Sequence, residues 1–193
     1  MSTPSTNTLP AGSNPWTPVS AKKVYDTPWI SVHHHEVLNA LGDPTTYGTV
    51  HYKNLAIGII PLDAEGNTWI VGQHRFPLNQ YSWEIPEGGG HPDTEPVVSA
   101  QRELREETGI IARDWQLVLE MHTSNSVCDE QAFIYVARDL EFHPAAPDDD
   151  EVLEVRKVPF DEVFGWVMAG AMTDSLTVAG VLKVKHLLDQ GAL

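Results

Sequence analysis

The sequence is short of cysteine and of long apolar runs. A single residue of the 193 is cysteine, so no disulfide can form within the chain. No apolar run approaches the roughly 20 residues that a transmembrane helix needs. No basic-then-apolar segment typical of a signal peptide opens the sequence. These absences predict a globular protein of the cytoplasm that does not span a membrane.

Basic residues are also scarce. The chain has 12 Lys and Arg against 27 Asp and Glu, a formal net charge of −15. Proteins that bind nucleic acid usually cluster Lys and Arg on one surface, whereas the basic residues here are scattered along the sequence. The charge therefore predicts no nucleic-acid partner. A small anionic substrate is compatible with it if a metal ion or a local arginine neutralises that substrate.

Turn residues and apolar patterns divide the chain into a flexible tail (residues 1–20) and a series of strands and helices. Strands are predicted at Lys22–Tyr25, Trp29–Leu38, Tyr47–Tyr52, Leu55–Leu62, Thr68–Arg75, Tyr81–Ile85, Trp115–Thr123, Gln131–Leu140 and 152–158. Helices are predicted at about Thr94–Gly109, Phe160–Ala169 and Asp174–Gln190. Thr94 and Asp174 are the expected N-caps of the first and last of them, Pro96 suits the first turn, and Gly109 is the expected C-terminal stop. The loop Asp63–Asn67 predicts a hairpin between the strands on either side. Mixed strands with a few helices favour a layered α/β or α+β domain.

Three glutamates recur at helical spacing in the first predicted helix. Glu103, Glu106 and Glu107 stand at i, i+3 and i+4 and therefore share one face, while Leu104 points the other way into the core. Carboxylates this close repel one another. A solvated helix surface tolerates that repulsion, and a bound cation would relieve it.

A run of three glycines precedes this helix. Glycine lets a backbone approach a ligand closely, so the loop would bring the carbonyls around Glu87 and Gly88 beside the glutamates. Oxygen-only ligands favour a hard cation, Mg²⁺ or Mn²⁺. The predicted metal ligands are Glu87, Glu103, Glu106 and Glu107. Such an ion would also neutralise a diphosphate substrate and activate a water molecule.

Gly88 followed by Arg102-Glu103-Leu104-x-Glu106-Glu107-x-Gly109-Ile110 resembles the signature of the Nudix hydrolases. The resemblance implies a mixed central sheet between helices over residues 54–193, and cleavage of a phosphoric anhydride. It carries the family's metal-binding glutamates onto Glu103, Glu106 and Glu107, and gives Glu107 a catalytic role. The sequence departs from the signature at Thr94, where the family has a glutamate that usually supports the loop and the helix.

The segments Val71–Arg75 and Trp83–Gly88 are similar to the branch of the family that contains ADP-ribose and nucleotide-sugar pyrophosphatases. This resemblance implies a small nucleotide-sugar substrate. It further implies that residues 21–53 form an antiparallel β extension. In this branch the protein is typically a homodimer, in which the extension of one subunit completes the substrate pocket of the other.

The branch resemblance also implies a set of substrate contacts. Arg75 would contact the diphosphate, the rings of Trp29 and Tyr47 would stack on the base, and Gly88 and Gly89 would border the substrate. Gly48 follows Tyr47 where adenine-reading members carry an acidic residue. ADP-ribose and other nucleotide sugars such as GDP-mannose therefore both stay open.

The general base in this branch usually comes from a late acidic loop, here residues 148–151. Glu151 is the first candidate because it has the longest reach and precedes a predicted strand, and Asp149 is another. Two further functions stay open on the same fold, a non-catalytic nucleotide sensor and a pyrophosphohydrolase of capped RNA. The three retained carboxylates weigh against the sensor, and the acidity of the chain weighs against the RNA enzyme.

Overall fold

The computed structural model describes residues 12–145 and 153–193. Ten strands and three helices lie in these ranges: β1 (Thr17–Asp26), β2 (Ile30–Leu38), β3 (Pro44–Tyr52), β4 (Leu55–Pro61), β5 (Asn67–Arg75), β6 (Gln80–Glu84), β7 (Glu87–Gly90), α1 (Pro96–Thr108), β8 (Ile110–His122), β9 (Gln131–Phe142), β10 (Glu154–Pro159), α2 (Phe160–Met168) and α3 (Ser175–Asp189). None of these helices is long and apolar enough to cross a bilayer.

The central sheet has the strand order β7-β4-β9-β8. β4 and β9 run parallel, whereas β7 and β8 are antiparallel to their neighbours, so the sheet is mixed. One apolar cluster packs α1 against this sheet, and a second packs α2 and α3 against it. The predicted fold class, a mixed sheet between helices, is confirmed.

Strand β4 supplies side chains to both apolar clusters because successive residues of a strand point to opposite faces. Ile57 and Ile59 pack in the cluster that contains Leu104 of α1, whereas Ile60 packs with Val181 of α3. All five side chains are fully buried, which contributes roughly 1.5–3 kcal/mol each. The strand is therefore held from both sides, and it fixes the position of β7 beside it.

Strands β4 and β5 do not form the predicted hairpin. β5 pairs with β6 and β10 in a separate three-stranded sheet. The connecting loop is still a tight turn, in which the Asp63 carboxylate accepts hydrogen bonds from the backbone N–H groups of Glu65 and Asn67. The hairpin prediction is wrong because both edges of β4 are already occupied, by β7 and by β9.

The N-terminal extension is an antiparallel sheet of β1, β2 and β3. β1 begins at Thr17, inside the segment predicted as a tail, and every residue of it is exposed. β3 attaches the extension to the loop before β9, where the Val50 N–H donates to the Val127 carbonyl at 2.9 Å. Among the described residues, the outer edge of β1 has no neighbouring strand.

Helix α1 begins and ends with recognisable caps. Pro96 is its first residue, and Gly109 follows it in the left-handed conformation with φ of 72°, as the sequence predicts. The N-cap is Glu95 rather than Thr94, so that prediction is wrong. Thr94 belongs to the preceding turn, where its N–H donates to the His91 carbonyl. Asp174 caps α3 as predicted, by accepting a hydrogen bond from the Thr177 N–H at 2.7 Å.

Candidate active site

The glycine strand β7 and the helix α1 meet at three of the predicted metal ligands. The backbone N–H of Glu87 donates to Oε2 of Glu107 at 3.0 Å. The carboxyl group of Glu103 lies against Gly88, in the space that a Cβ there would fill. The glycine run is thus a strand rather than a loop, and it lets the carboxylates of α1 approach the backbone.

Arg102 joins the glutamate face of α1 to the glycine strand. Its guanidinium donates to Oε2 of Glu106 at 2.6 Å, to Oε1 of Glu103 at 2.5 Å and to the carbonyl of Gly89 at 2.7 Å. These charge-assisted bonds offset the repulsion between the two carboxylates. Burial raises the energetic cost of separating Arg102 from Glu103, since Glu103 is 9% exposed.

A cleft of about 860 Å³ opens beside this contact. Four of the five predicted substrate-binding residues and the predicted ligands Glu87 and Glu107 lie in its wall. The lining includes Trp29, Arg75, Glu87, Gly88, Gly89, Glu107, Glu130 and Asp174. Its volume is within the range of small-molecule sites, and these predicted residues therefore share one pocket.

Arg75 is held in this cleft by two acidic side chains. Its Nε donates to both carboxylate oxygens of Glu84, at 3.1 and 3.0 Å, and its Nη2 reaches Glu84 at 2.5 Å and Glu87 at 2.6 Å. Burial lowers the pKa of the guanidinium, but the two carboxylates outweigh that effect and the pKa of Arg75 is raised. The side chain therefore keeps its charge and has one orientation in the cleft.

Sequence reasoning missed two acidic residues of the site. Glu84, Glu87 and Asp174 each place a carboxylate oxygen within 4.8 Å of the other two. Burial, and then the charges of Asp174 and Glu84, raise the pKa of Glu87 well above its usual value, while Arg75 lowers it. Glu84 could have been noticed as an acidic residue between the apolar neighbours Trp83 and Ile85, but Asp174 carried no signal beyond its helix cap.

A family model described as the NUDIX domain matches residues 52–175. The chain belongs to the Nudix family. It is 33% identical over 142 residues to an ADP-ribose pyrophosphatase of Mycobacterium tuberculosis, across 70% of this chain and 67% of that relative. It is 32% identical over 140 residues to a methanol dehydrogenase activator of Bacillus methanolicus, across 72% and 74% of the two chains.

A solved structure described as an ADP compounds hydrolase superposes with a TM-score of 0.83 over 95% of this chain and 100% of the other. The two sequences are 19% identical, so this likeness concerns the fold. The predicted family and branch are confirmed, and this Nudix chain is a pyrophosphohydrolase.

Another predicted site residue of the Nudix chain, Tyr47, is not part of the wall of this cleft. Tyr47 pairs with His35, well along β2 from Ile30 and its neighbour Trp29, and it lines a separate cleft of about 490 Å³. Its hydroxyl donates to the Ser126 carbonyl at 2.5 Å, and its ring packs edge-on against Trp16. A base sandwich of Trp29 and Tyr47 is therefore not formed within one chain. Glu151 and Asp149, the predicted bases, lie outside the described residues.

The residues of the Nudix helix fit a hard divalent cation. The Glu103 carboxylate lies in the space left by the missing Cβ of Gly88, and the Glu107 carboxylate accepts from the neighbouring Glu87 N–H, so two oxygen ligands of the kind that hard cations prefer lie beside the glycine strand. One carboxylate oxygen of Glu87, Oε2, is buried with no hydrogen-bond donor among the described residues. Carboxylate oxygens are ligands that suit Mg²⁺ or Mn²⁺ better than a soft metal that prefers thiolate ligands.

Proposed function

We propose that this Nudix protein hydrolyses the diphosphate of ADP-ribose or of a related nucleotide sugar, with Mg²⁺ or Mn²⁺ as cofactor. The observation that carries the proposal is the juxtaposition of Arg75, Glu107 and the glycine strand in one cleft. The similarity to an ADP-ribose pyrophosphatase supports the choice of substrate. The products are a nucleoside monophosphate and a sugar phosphate.

Glu103, Glu106 and Glu107 would hold the metal, with oxygens of Glu87 beside them. When bound, a divalent cation supplies charge neutralisation at the diphosphate and acidifies a water molecule. Arg102 has a supporting role, because its bonds to Glu103 and Glu106 orient these carboxylates relative to the Gly89 carbonyl.

The protein's own side chains bind and orient the substrate. Arg75 pairs with the diphosphate from a position that Glu84 and Glu87 fix in advance, so little entropy is lost on binding. The indole of Trp29, 69% exposed at the mouth of the cleft, offers a face on which the base stacks.

In the hydrolytic step the oxygen of a water molecule bonds to one phosphorus and the bridging P–O bond breaks. The proton of that water passes to a carboxylate, and the departing phosphate takes the electron pair of the broken bond. We assign the proton acceptor to Glu151, with Asp149 as the alternative, since relatives of this branch usually take their general base from this acidic loop.

We also propose that the extension, residues 21–53, joins two copies into a homodimer. Strand β1, which begins before this range, has no neighbour on its outer edge within the described part of the chain, and it carries the exposed apolar side chains of Val19, Val24 and Tyr25. An open edge of this kind is usually covered in a native protein. Light scattering after gel filtration measures the mass, and a monomer at micromolar concentration contradicts the assembly.

The experiment for the activity is a panel of nucleotide sugars, scored for released monophosphate with Mg²⁺, with Mn²⁺ and with a chelator. The panel includes ADP-ribose and GDP-mannose, and capped RNA is assayed beside it as the alternative substrate. Glu107→Gln keeps an acceptor for the Glu87 N–H but removes the charge, and we expect kcat to fall by about 10²-fold or more. Glu65→Gln, at an exposed turn, is the matched control and keeps full activity.

Three outcomes contradict the proposal. The first is near-normal turnover by Glu107→Gln, and the second is turnover that persists in chelator. The third is a preference for capped RNA over every nucleotide sugar. The net charge of −15 opposes the third outcome, because a polyanion is repelled by an acidic surface.

A further inference from the structure

A second cleft, of about 640 Å³, lies between α1 and β8 on the flank of the helix away from Arg75. Its walls include Gln101, Arg102, Arg105, Glu106, Ile111 and Trp115. It shares no lining residue with the substrate cleft. We refer to it as the α1/β8 cleft, and its volume is also that of a small-molecule site.

Arg105 is an unpaired cation in the wall of the α1/β8 cleft. The chain has six arginines, and five of them form ion pairs with carboxylates: Arg75, Arg102, Arg113, Arg138 and Arg156. Within the described ranges, Arg105 has neither a carboxylate partner nor an aromatic ring beneath it. In a chain with 27 acidic residues, an arginine left unpaired inside a concave site is available for an anionic ligand.

Trp115 gives the same cleft a rigid aromatic surface. Its indole N–H donates to the Ala112 carbonyl at 2.9 Å, and its ring packs edge-on against Tyr135 at 6.3 Å. These two contacts fix the ring, which is half-buried. Ile111, 36% exposed, extends the apolar surface beside it. A fixed indole with an accessible part is a platform for a flat aromatic group.

Polar groups complete the recognition surface. The exposed amide of Gln101 can donate and accept, and the carboxylate of Glu106 can accept from a hydroxyl group while it keeps its bond to Arg102. A free guanidinium forks onto phosphate oxygens. The cleft thus offers separate partners for a phosphate, for sugar hydroxyls and for a flat base, which is the combination that a nucleotide carries.

We propose that the α1/β8 cleft binds a nucleoside monophosphate at a site separate from the substrate cleft. The phosphate pairs with Arg105, the base stacks on Trp115, and Glu106 accepts from the ribose. The occupied site adjoins the metal-binding face of α1, because Glu106 belongs to both. The use of AMP as the probe rests on the proposed function, whereas the class of ligand rests on the cleft.

Binding is measured by calorimetry with AMP on the metal-free, full-length protein, without any turnover. AMP is also a product, so it occupies the substrate cleft as well. We expect Arg105→Glu to remove one equivalent of bound AMP relative to the wild type, or to weaken that site at least about 100-fold. Arg113→Glu makes the same charge change at an exposed position of β8 outside the cleft, and we expect wild-type binding from it.

Two further measurements distinguish binding of the whole nucleotide from binding of its phosphate or its nucleoside alone. Adenosine and inorganic phosphate are titrated under the same conditions, and the indole signal of Trp115, assigned with Trp115→Phe, is followed by NMR. The proposal requires AMP to shift that signal and to bind more tightly than either part.

The proposal is overturned if the binding curves of Arg105→Glu and Arg113→Glu are identical. It is equally overturned if phosphate alone matches AMP at this site, because the cleft is then a general anion site. Hydrolysis of ADP-ribose by Arg105→Glu at the wild-type rate supports separate sites, and a failure of the proposed function leaves this binding test unaffected.

Discussion

The carboxyl group of Glu103 fills the space beside Gly88 in which any other residue would carry its Cβ. The backbone at Gly88 is not in the left-handed region, so conformation does not require glycine there. Space does. The glycine of the Nudix signature and its first glutamate are therefore two halves of one contact.

Gly88→Ala tests this contact. The added methyl group displaces the Glu103 carboxylate, and we expect kcat to fall by about 10- to 100-fold, since a shift of about 1 Å at a reacting group has an effect of that size. Gly165→Ala is the control, because a Cβ at that helical position meets no atom within 4 Å. Equal activity of the two variants in steady-state assays would show that Glu103 can move without loss.

The fork between Arg75 and Glu84 gives a second prediction. Lysine keeps the charge but offers a single point of contact, so Arg75→Lys is expected to lower kcat/KM by about tenfold or more. Because the two residues share one contact, Arg75→Lys and Glu84→Gln should be non-additive, with a coupling energy of about 0.5–3 kcal/mol. Arg138→Lys, whose partner Asp114 is outside the cleft, serves as the control. Simple additivity in the double variant contradicts the shared role.

The raised pKa of Glu87 predicts how stability depends on pH. Burial, Asp174 and Glu84 disfavour the charged form of Glu87 in the folded state. The protonated group therefore stabilises the folded protein fully below about pH 4.5, the ordinary pKa of a glutamate. This stabilisation is lost as the pH rises through the higher pKa of the folded state. The side chain in Glu87→Gln does not ionise, so the variant lacks this source of pH dependence. In chelator, its free energy of unfolding relative to the wild type should increase from pH 4 to pH 8, as measured with urea. Parallel curves for the two proteins would rule this out.

Thr177 links helix α3 to the strand that leads into the site. Its hydroxyl oxygen accepts from the Ile85 N–H at 3.0 Å, and the side chain is fully buried. Thr177→Val leaves that N–H without a partner, and we expect a loss of about 1–3 kcal/mol of unfolding free energy. Hydrogen exchange at the Ile85 amide should accelerate in Thr177→Val and stay slow in Thr177→Ser. Unchanged protection in the valine variant means that another group satisfies this amide.

The parts of the site that the sequence predicts are those that depend on local spacing. The three glutamates, the buried Leu104 and the glycine cap of α1 all follow from helical periodicity within 20 residues. The same reasoning misplaced the N-cap by one residue, because Pro96 fits more than one position of a first turn.

Features that depend on distant pairing were not predictable in this way. The β4–β5 hairpin failed because β4 pairs with β9, whose residues lie about 75 positions further along. Asp174 reaches Glu84 and Glu87 from the start of the last helix, and nothing near it in the sequence indicates that approach. Tyr47 was expected to stack on the base together with Trp29, but the register of β2 and β3 places Tyr47 opposite His35 and not near Ile30.

The hydrogen bond between Thr177 and Ile85 also bears on the order in which parts of the protein fold during synthesis. A ribosome makes the glycine strand and α1 early, yet β4 obtains its parallel neighbour only after residue 131, and Ile85 obtains its partner only at residue 177. Contacts this distant in sequence form late and slow the folding of a chain. A nascent chain of 150 residues would therefore hold every carboxylate of α1 and still lack a finished site.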